Sequence, residues 1–205
     1  FFDVVTYEGN GGNGPICYHN LGVTPNMVWF KNRSSTPGWA VYCSEIQQIS
    51  STYGVPFTLE LNELYKAEEQ PPIEPTDTLI RCKAGYNAKV NDANDSYIAY
   101  LWASVPGICD IGSYTGTGND LNVDCGFTNG ARFVLIKRTD SIGDWYYWDT
   151  LRGISSGSDP YLLLNTQAAQ ANQTYIKPLA SGFTVTGHPS SVNGSGATYI
   201  YMAIA

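Results

Sequence analysis

Two glycine patterns in this chain have the spacing of known chemistry. Gly9, Gly11 and Gly14 satisfy G-x-G-x-x-G after an expected strand. In a dinucleotide site such a loop opens a helix whose N-terminal amides receive the pyrophosphate. Here Pro15-Ile16-Cys17-Tyr18 reads as a strand, so the glycines are expected in a hairpin loop. Gly153-Ile154-Ser155-Ser156-Gly157 satisfies G-x-S-x-G, which in a nucleophile elbow is also followed by a helix. Ser158-Asp159-Pro160 and Tyr161 to Leu164 look extended instead; the histidines are His19 and His188, and His188, the partner a triad with Ser155 and Asp159 would use, lies in a Gly-His-Pro turn.

Carboxylates could serve glycan hydrolysis, which needs two acids about 5 to 9 Å apart across the scissile bond. Asp140, Asp144 and Asp149 are candidates, as are Glu60 and Glu63, although acids flanking hairpins are ordinarily solvated. Asn91-Asp92-Ala93-Asn94-Asp95 offers oxygen ligands suited to Ca²⁺. A similar turn at Asn193-Gly194-Ser195-Gly196 has no carboxylate, so a turn before a strand is the simpler expectation. No catalytic residue, cofactor or metal ligand is assigned. The candidate glycan-binding residues are Tyr147, Trp148, Trp145, Trp39 and Tyr42, because exposed aromatic faces stack on sugars. Trp39 and Trp145 sit at equivalent positions and are expected to pack, leaving Tyr147 and Trp148 as the better candidates. Sequons begin at Asn32, Asn94, Asn172 and Asn193 in a chain rich in Asn, Ser and Thr.

The elements that must position these residues are expected to be strands. The 205 residues are 43% hydrophobic, 14% charged and 13% aromatic, with 21 Gly and 11 Pro, which excludes a disordered tail, a collagen-like rod and a coiled coil. A net charge of -7 without a basic stripe argues against a nucleic-acid partner. No apolar run approaches the ~20 residues of a membrane helix, so no membrane partner is expected, and no signal-peptide pattern is visible at Phe1. Cys17, Cys43, Cys82, Cys109 and Cys125 form no C-x-x-C pair and are expected as buried small apolar residues in a chain matured in a reducing cytoplasm.

Sliding the second half over the first reveals an internal repeat. Val28-Trp29-Phe30-Lys31 answers to Val134-Leu135-Ile136-Lys137, and eight residues past each lysine stand Trp39 and Trp145, at one offset of 106. Tyr7-Glu8-Gly9 answers to Tyr114-Thr115-Gly116, Leu59 to Asn62 to Leu162 to Asn165, and Ser96 to Tyr100 to Thr198 to Met202, in the same order. Short runs rich in Val, Ile, Thr, Tyr, Phe and Trp between Gly, Asn, Ser and Pro clusters predict an all-β fold: two tandem homologous antiparallel β-sandwich (jelly-roll-like) units with short helical turns. Unit 1 is expected over 1–106 and unit 2 over 107–205, joined at Ser104-Val105-Pro106-Gly107. The apolar runs Tyr97 to Ala103 and Tyr199 to Ile204 should close each unit from the middle of a sheet. A helix is expected near Asn62 to Gln70, and a helical turn between Asn165 and Tyr175.

These motifs carry a resemblance. Asp3 to Gly11, Lys31 to Arg33, Trp39 to Tyr42, Leu59 to Asn62 and Tyr97 to Ala103, echoed by Lys137-Arg138-Thr139, Trp145 and Tyr199 to Ala203, resemble a repeat domain of uncharacterised function in virion proteins of marine and cyanobacterial tailed phages. The resemblance implies a non-enzymatic structural protein of the virion, in a tail fibre, another appendage or a capsid decoration, serving assembly or host-surface attachment. Implied partners are other virion proteins or further copies of the chain in a homo-oligomer, and host surface glycans. The alternatives are a carbohydrate-binding adhesin and a glycan-degrading tailspike fragment. The acidic stretch Glu60 to Asp77 departs from the Ser/Thr/Ala-rich loop expected there.

Overall fold

The computed structural model describes residues 1–46, 58–64, 73–82, 88–187 and 191–205. Among them there is no helix, and so none long and apolar enough to cross a membrane. The chain divides into two compact units, Phe1–Glu63 with Ala67–Ala103, and Ser104–Ala205 with Leu64–Lys66.

Unit 1 contains β1 (Phe2–Glu8), β2 (Gly14–Tyr18), β3 (Met27–Asn32), β4 (Ala40–Cys43), β5 (Leu59–Glu60), β6 (Ile73–Pro75), β7 (Leu79–Cys82) and β8 (Ser96–Trp102). Alternation decides the layers: Val28, Phe30, Ala99 and Leu101 turn one way from their strands and meet Ile16, Cys17, Ile73, Ile80 and Cys82 in one buried cluster. The five-stranded sheet β1-β8-β3-β4-β5 therefore packs on the three-stranded sheet β2-β7-β6. A bulge between Pro15 and Cys17 turns the consecutive residues Ile16 and Cys17 into buried positions.

Unit 2 contains β9 (Cys109–Thr115), β10 (Leu121–Asp124), β11 (Phe133–Arg138), β12 (Trp145–Asp149), β13 (Asp159–Leu163), β14 (Ala171–Gln173), β15 (Ile176–Leu179), β16 (Gly182–Val185) and β17 (Thr198–Ile204). Its sheets run β14-β13-β12-β11-β17-β9 and β10-β16-β15, which is the strand order of unit 1 with one strand added at the edge. Val134, Ile136, Tyr146, Trp148, Tyr199 and Tyr201 meet Val123, Ile176, Phe183 and Val185 in its core. All strand pairs are antiparallel. Pro15, Pro75 and Pro178 all fall on edge strands of the small sheets, where a missing amide costs no ladder bond.

The closing strands lie centrally: β8 pairs with β1 and β3, and β17 with β9 and β11. Burial along β17 is continuous from Tyr199 to Ala203, whereas β8 alternates between buried and half-buried. The short joint is a tight turn, with Gly107 at φ 76° and the Ile108 amide bonded to the Val105 carbonyl at 3.0 Å. The expected helix over Asn62 to Gln70 falls, from residue 65 on, outside the described residues. The helical turn expected between Asn165 and Tyr175 is corrected: Ala171–Gln173 forms β14, paired with Asp159 to Tyr161, because an open sheet edge satisfies those amides better than one isolated turn.

Candidate functional site

The glycine loop after β1 is filled by its own chain. The Asn10 amide donates to Asn91 Oδ1 at 2.9 Å, the Gly12 amide to Asn10 Oδ1 at 2.9 Å, and Asn91 Nδ2 to the Gly12 carbonyl at 2.9 Å. Strand β2, not a helix, follows. Beneath it, Tyr7 stacks on Tyr97 at 5.1 Å and donates to the Val90 carbonyl at 2.7 Å. Unit 2 repeats this lock: the Thr117 amide donates to Asn193 Oδ1 at 2.9 Å, Tyr114 stacks on Tyr199 at 5.0 Å, and the Tyr114 hydroxyl donates to the Val192 carbonyl at 2.5 Å. Burial holds the Tyr7 and Tyr114 phenols well above the usual tyrosine range. Asn32 and Asn193, two of the sequon asparagines, are buried, and their amides are bonded inside these loops.

At the serine motif, Ser155 Oγ donates to Asp159 Oδ1 at 2.7 Å and the Ser155 amide donates to the same oxygen at 2.8 Å. The Gly157 amide donates to Ser155 Oγ at 3.2 Å, a serine turn that closes the loop before β13. Asp159 is 1% exposed, and its Oδ2 has no hydrogen-bond partner among the described residues. His188 lies outside the described residues.

The candidate acids are each engaged. Asp140 takes Arg138 Nε at 2.8 Å and Nη2 at 3.1 Å, and this pairing holds its carboxyl below the usual range. Asp149 is paired with Arg152, Glu60 with Lys89, and Asp144 accepts Asn165 Nδ2 at 2.8 Å. Glu63 Oε1 accepts Asn62 Nδ2 at 3.2 Å. In the Asn91 to Asp95 turn, Asp95 Oδ2 accepts Asn32 Nδ2 at 2.7 Å and Ser35 Oγ at 3.1 Å. Among the described residues no group of three or more His, Cys, Asp or Glu is placed to hold a metal ion.

The lysines and asparagines of the repeat clamp hairpins. Lys31 Nζ donates to the Pro37 carbonyl at 2.8 Å, and Lys137 Nζ to the Gly143 carbonyl at 2.7 Å and the Leu64 carbonyl at 3.3 Å. Asn62 Oδ1 accepts the Trp39 amide at 2.7 Å, as Asn165 Oδ1 accepts that of Trp145 at 2.9 Å. Lys137 has no exposed surface, and burial pulls its pKa down to about 8 against the opposing attraction of Asp144. The five cysteines are free and buried; burial pushes Cys17, Cys43 and Cys125 up to about 12, and Cys82 and Cys109 up to about 11.

The five aromatic candidates do not converge. Trp148 is 0% exposed inside the sandwich of unit 2, opposite Val134, and Tyr42 is buried opposite Val28 at the same register of unit 1. Trp145 has no exposed surface either. These three offer no ring face to a sugar, which corrects the preference for Trp148 in particular. Tyr147 is half-buried, next to Phe133 at 6.0 Å and under the Arg152 guanidinium at 5.7 Å. Trp39, also half-buried, belongs instead to an aromatic row across the five-stranded sheet of unit 1. Its ring lies 6.1 Å from Tyr100, which lies 6.2 Å from Trp102; Trp102 in turn lies 4.6 Å from Trp29 and 5.1 Å from Phe2. Phe2 and Val4 are 46% and 41% exposed along its rim, and this row is the candidate binding face. The alternation of Tyr100 and Trp102 along β8, in register with Trp29, is the sequence signal that would have found it.

A second concavity, in unit 2, has no signature in the sequence. This cavity of about 400 Å³ is formed by the loops through Thr128 to Ala131 and Thr150 to Ile154 and by the end of β15 with the residue after it, Pro178 to Ala180, and no charged residue among those described lines it. No curated protein and no solved structure matches the chain. The family described as Domain of unknown function (DUF7483) matches residues 1–205, and the chain belongs to that family.

Proposed function

We propose that this protein is a non-enzymatic structural module of a bacteriophage particle, in a tail fibre, another appendage or a capsid decoration, acting in multiple copies in assembly or host-surface attachment. One observation carries the reading: two sandwiches of one strand order spend the side chains that could do chemistry on closing their own loops. Ser155 and Asp159 clamp a turn, Asn91 and Asn193 clamp matching turns, and the candidate acids meet basic or amide partners. Such a module presents a rigid surface and leaves reaction chemistry to other proteins. The test is an antibody to the folded chain applied to particles made from the genome that encodes it. Discrete labelling on the particle is the expected result, and absence of the chain from purified particles overturns the reading.

A carbohydrate-binding adhesin is the second reading, favoured by the row Trp39, Tyr100, Trp102, Trp29 and Phe2. A glycan array on the isolated protein tests it, with binding lost on Trp39→Ala and unchanged on Tyr147→Ala. An array without signal removes this reading.

A further inference from the structure

Leu151 is 97% exposed, the most exposed large apolar residue among those described. It stands at the tip of a loop that is held firmly. The Arg152 amide donates to Asp149 Oδ1 at 3.0 Å, the Gly153 amide donates to the Asp149 carbonyl at 3.0 Å, and the Thr150 amide donates to the Arg132 carbonyl at 2.9 Å. The Arg152 guanidinium is paired with Asp149 and sits 5.7 Å over the Tyr147 ring. A leucine held outward on a fixed loop meets water with its whole side chain; alone this is an ordinary surface feature, and it gains meaning from the cavity beside it.

The cover is next to it. Thr150 and Ile154, on either side of Leu151 in the loop, line the cavity of about 400 Å³ whose other walls include Ala131, Pro178 and Leu179. Knob and socket thus belong to one loop. A surface carrying both has the two parts that a two-fold contact requires, one leucine and one socket from each copy. Charge points the same way. A chain of net charge -7 repels its own copies, so a contact between them belongs where charge is absent or compensated. The socket has no charged lining residue among those described, and the charges flanking the knob, Asp149 and Arg152, are paired with each other.

We propose that this end of unit 2 is a self-association surface, with Leu151 of one copy seated in the cavity of a second copy. The proposal deepens the multimeric module described above and rests on it for its biological setting.

Sedimentation and native mass measurements of the intact chain over a concentration series test it, using the wild type, Leu151→Lys and Thr128→Lys. Both positions are exposed, so the folded state tolerates the changes, and each adds a positive charge that lessens net repulsion between copies. Concentration-dependent dimers are expected for the wild type. A two-fold contact buries two leucines, one from each copy, so each variant should raise the dissociation constant by well over 30-fold, about 30-fold being the factor for burying a single leucine side chain. Assembly that survives both substitutions overturns this surface while leaving a multimeric module standing. A wild type that is monomeric at every concentration overturns both the surface and the multimeric reading.

Discussion

Lys137 provides the sharpest test of the packing described. Its ammonium is wholly buried on β11, held by the Gly143 and Leu64 carbonyls, and burial lowers its pKa from the ordinary 10.5 to about 8. At 1.36 kcal/mol for each unit, that gap corresponds to about 3 kcal/mol. Between these two pH values the unfolded chain keeps the proton and the folded chain has lost it. Stability must therefore rise with pH across this window, because the cost of burying an ion, present in full below about pH 8, is progressively relieved. Lys137→Met keeps the stem and removes the titration. The assay is urea unfolding of wild type and variant, under reductant, at a series of pH values. Buried thiols and phenols also titrate in alkali, but they are common to both proteins and cancel in the difference. Relative to the variant, the wild type should gain up to about 3 kcal/mol between pH 8 and 10.5, with no change from pH 6 to 7. A difference that stays flat across the window would refute the claim that the folded protein holds this ammonium away from water.

Other expectations follow from the same loops and cores. A Cβ at Gly9 would overlap the Asp92 carbonyl, and one at Gly116 the Gly194 carbonyl, so Gly9→Ala and Gly116→Ala should each lower unfolding stability by about 1–3 kcal/mol, measured by denaturant titration. An unchanged midpoint in either variant would show that the close approach does not exist. The native protein should leave all five thiols unlabelled by an aromatic disulfide reagent near neutral pH and yield all five after denaturation; rapid native labelling would contradict their burial. Asp159→Asn keeps the acceptor for Ser155 and should retain wild-type stability, whereas Asp159→Ala should lose about 1–3 kcal/mol with its two hydrogen bonds. If both variants were equally damaged in thermal melts, the charge of Asp159 would have a partner the described residues do not include.

Where strands are long and central, pattern and structure coincide: the apolar runs Tyr97 to Ala103 and Tyr199 to Ile204 match β8 and β17 to within one residue at either end. The repeat pairs Lys31 with Lys137 and Asn62 with Asn165 as positions, but their roles as hairpin clamps follow from long-range bonds to backbone groups that residue type does not specify. Three short strands carry no such pattern, β6, β14 and β15. Ile73–Pro75 and Ile176–Leu179 carry proline, and Ala171–Gln173 is small and polar, so their extended form comes from pairing across an edge rather than from local preference. The site was the least legible part. In Trp145-Tyr146-Tyr147-Trp148 alternate rings point to opposite faces, and a run that is aromatic throughout does not tell which parity meets solvent. Trp148 is therefore a candidate by residue type and a core residue by position, while at the ladder positions of Trp29 and Trp102 unit 2 has leucine and isoleucine, so the repeat does not mark them as binding candidates.

The central place of β8 and β17 sets the order of events when the chain is made. Each is the last strand of its unit in sequence and yet bridges the first strand to the third, so among the described strands β1 has no ladder partner in its sheet until Ser96–Trp102 has been synthesised, and β9 none until Thr198–Ile204 has. Closing a sheet over so long a separation makes for slow, all-or-none acquisition of structure by each unit, with no stable half-built sheet emerging from the ribosome. A nascent chain halted just before either strand would hold its opening strand as a bare edge, available to a chaperone or to a neighbouring chain.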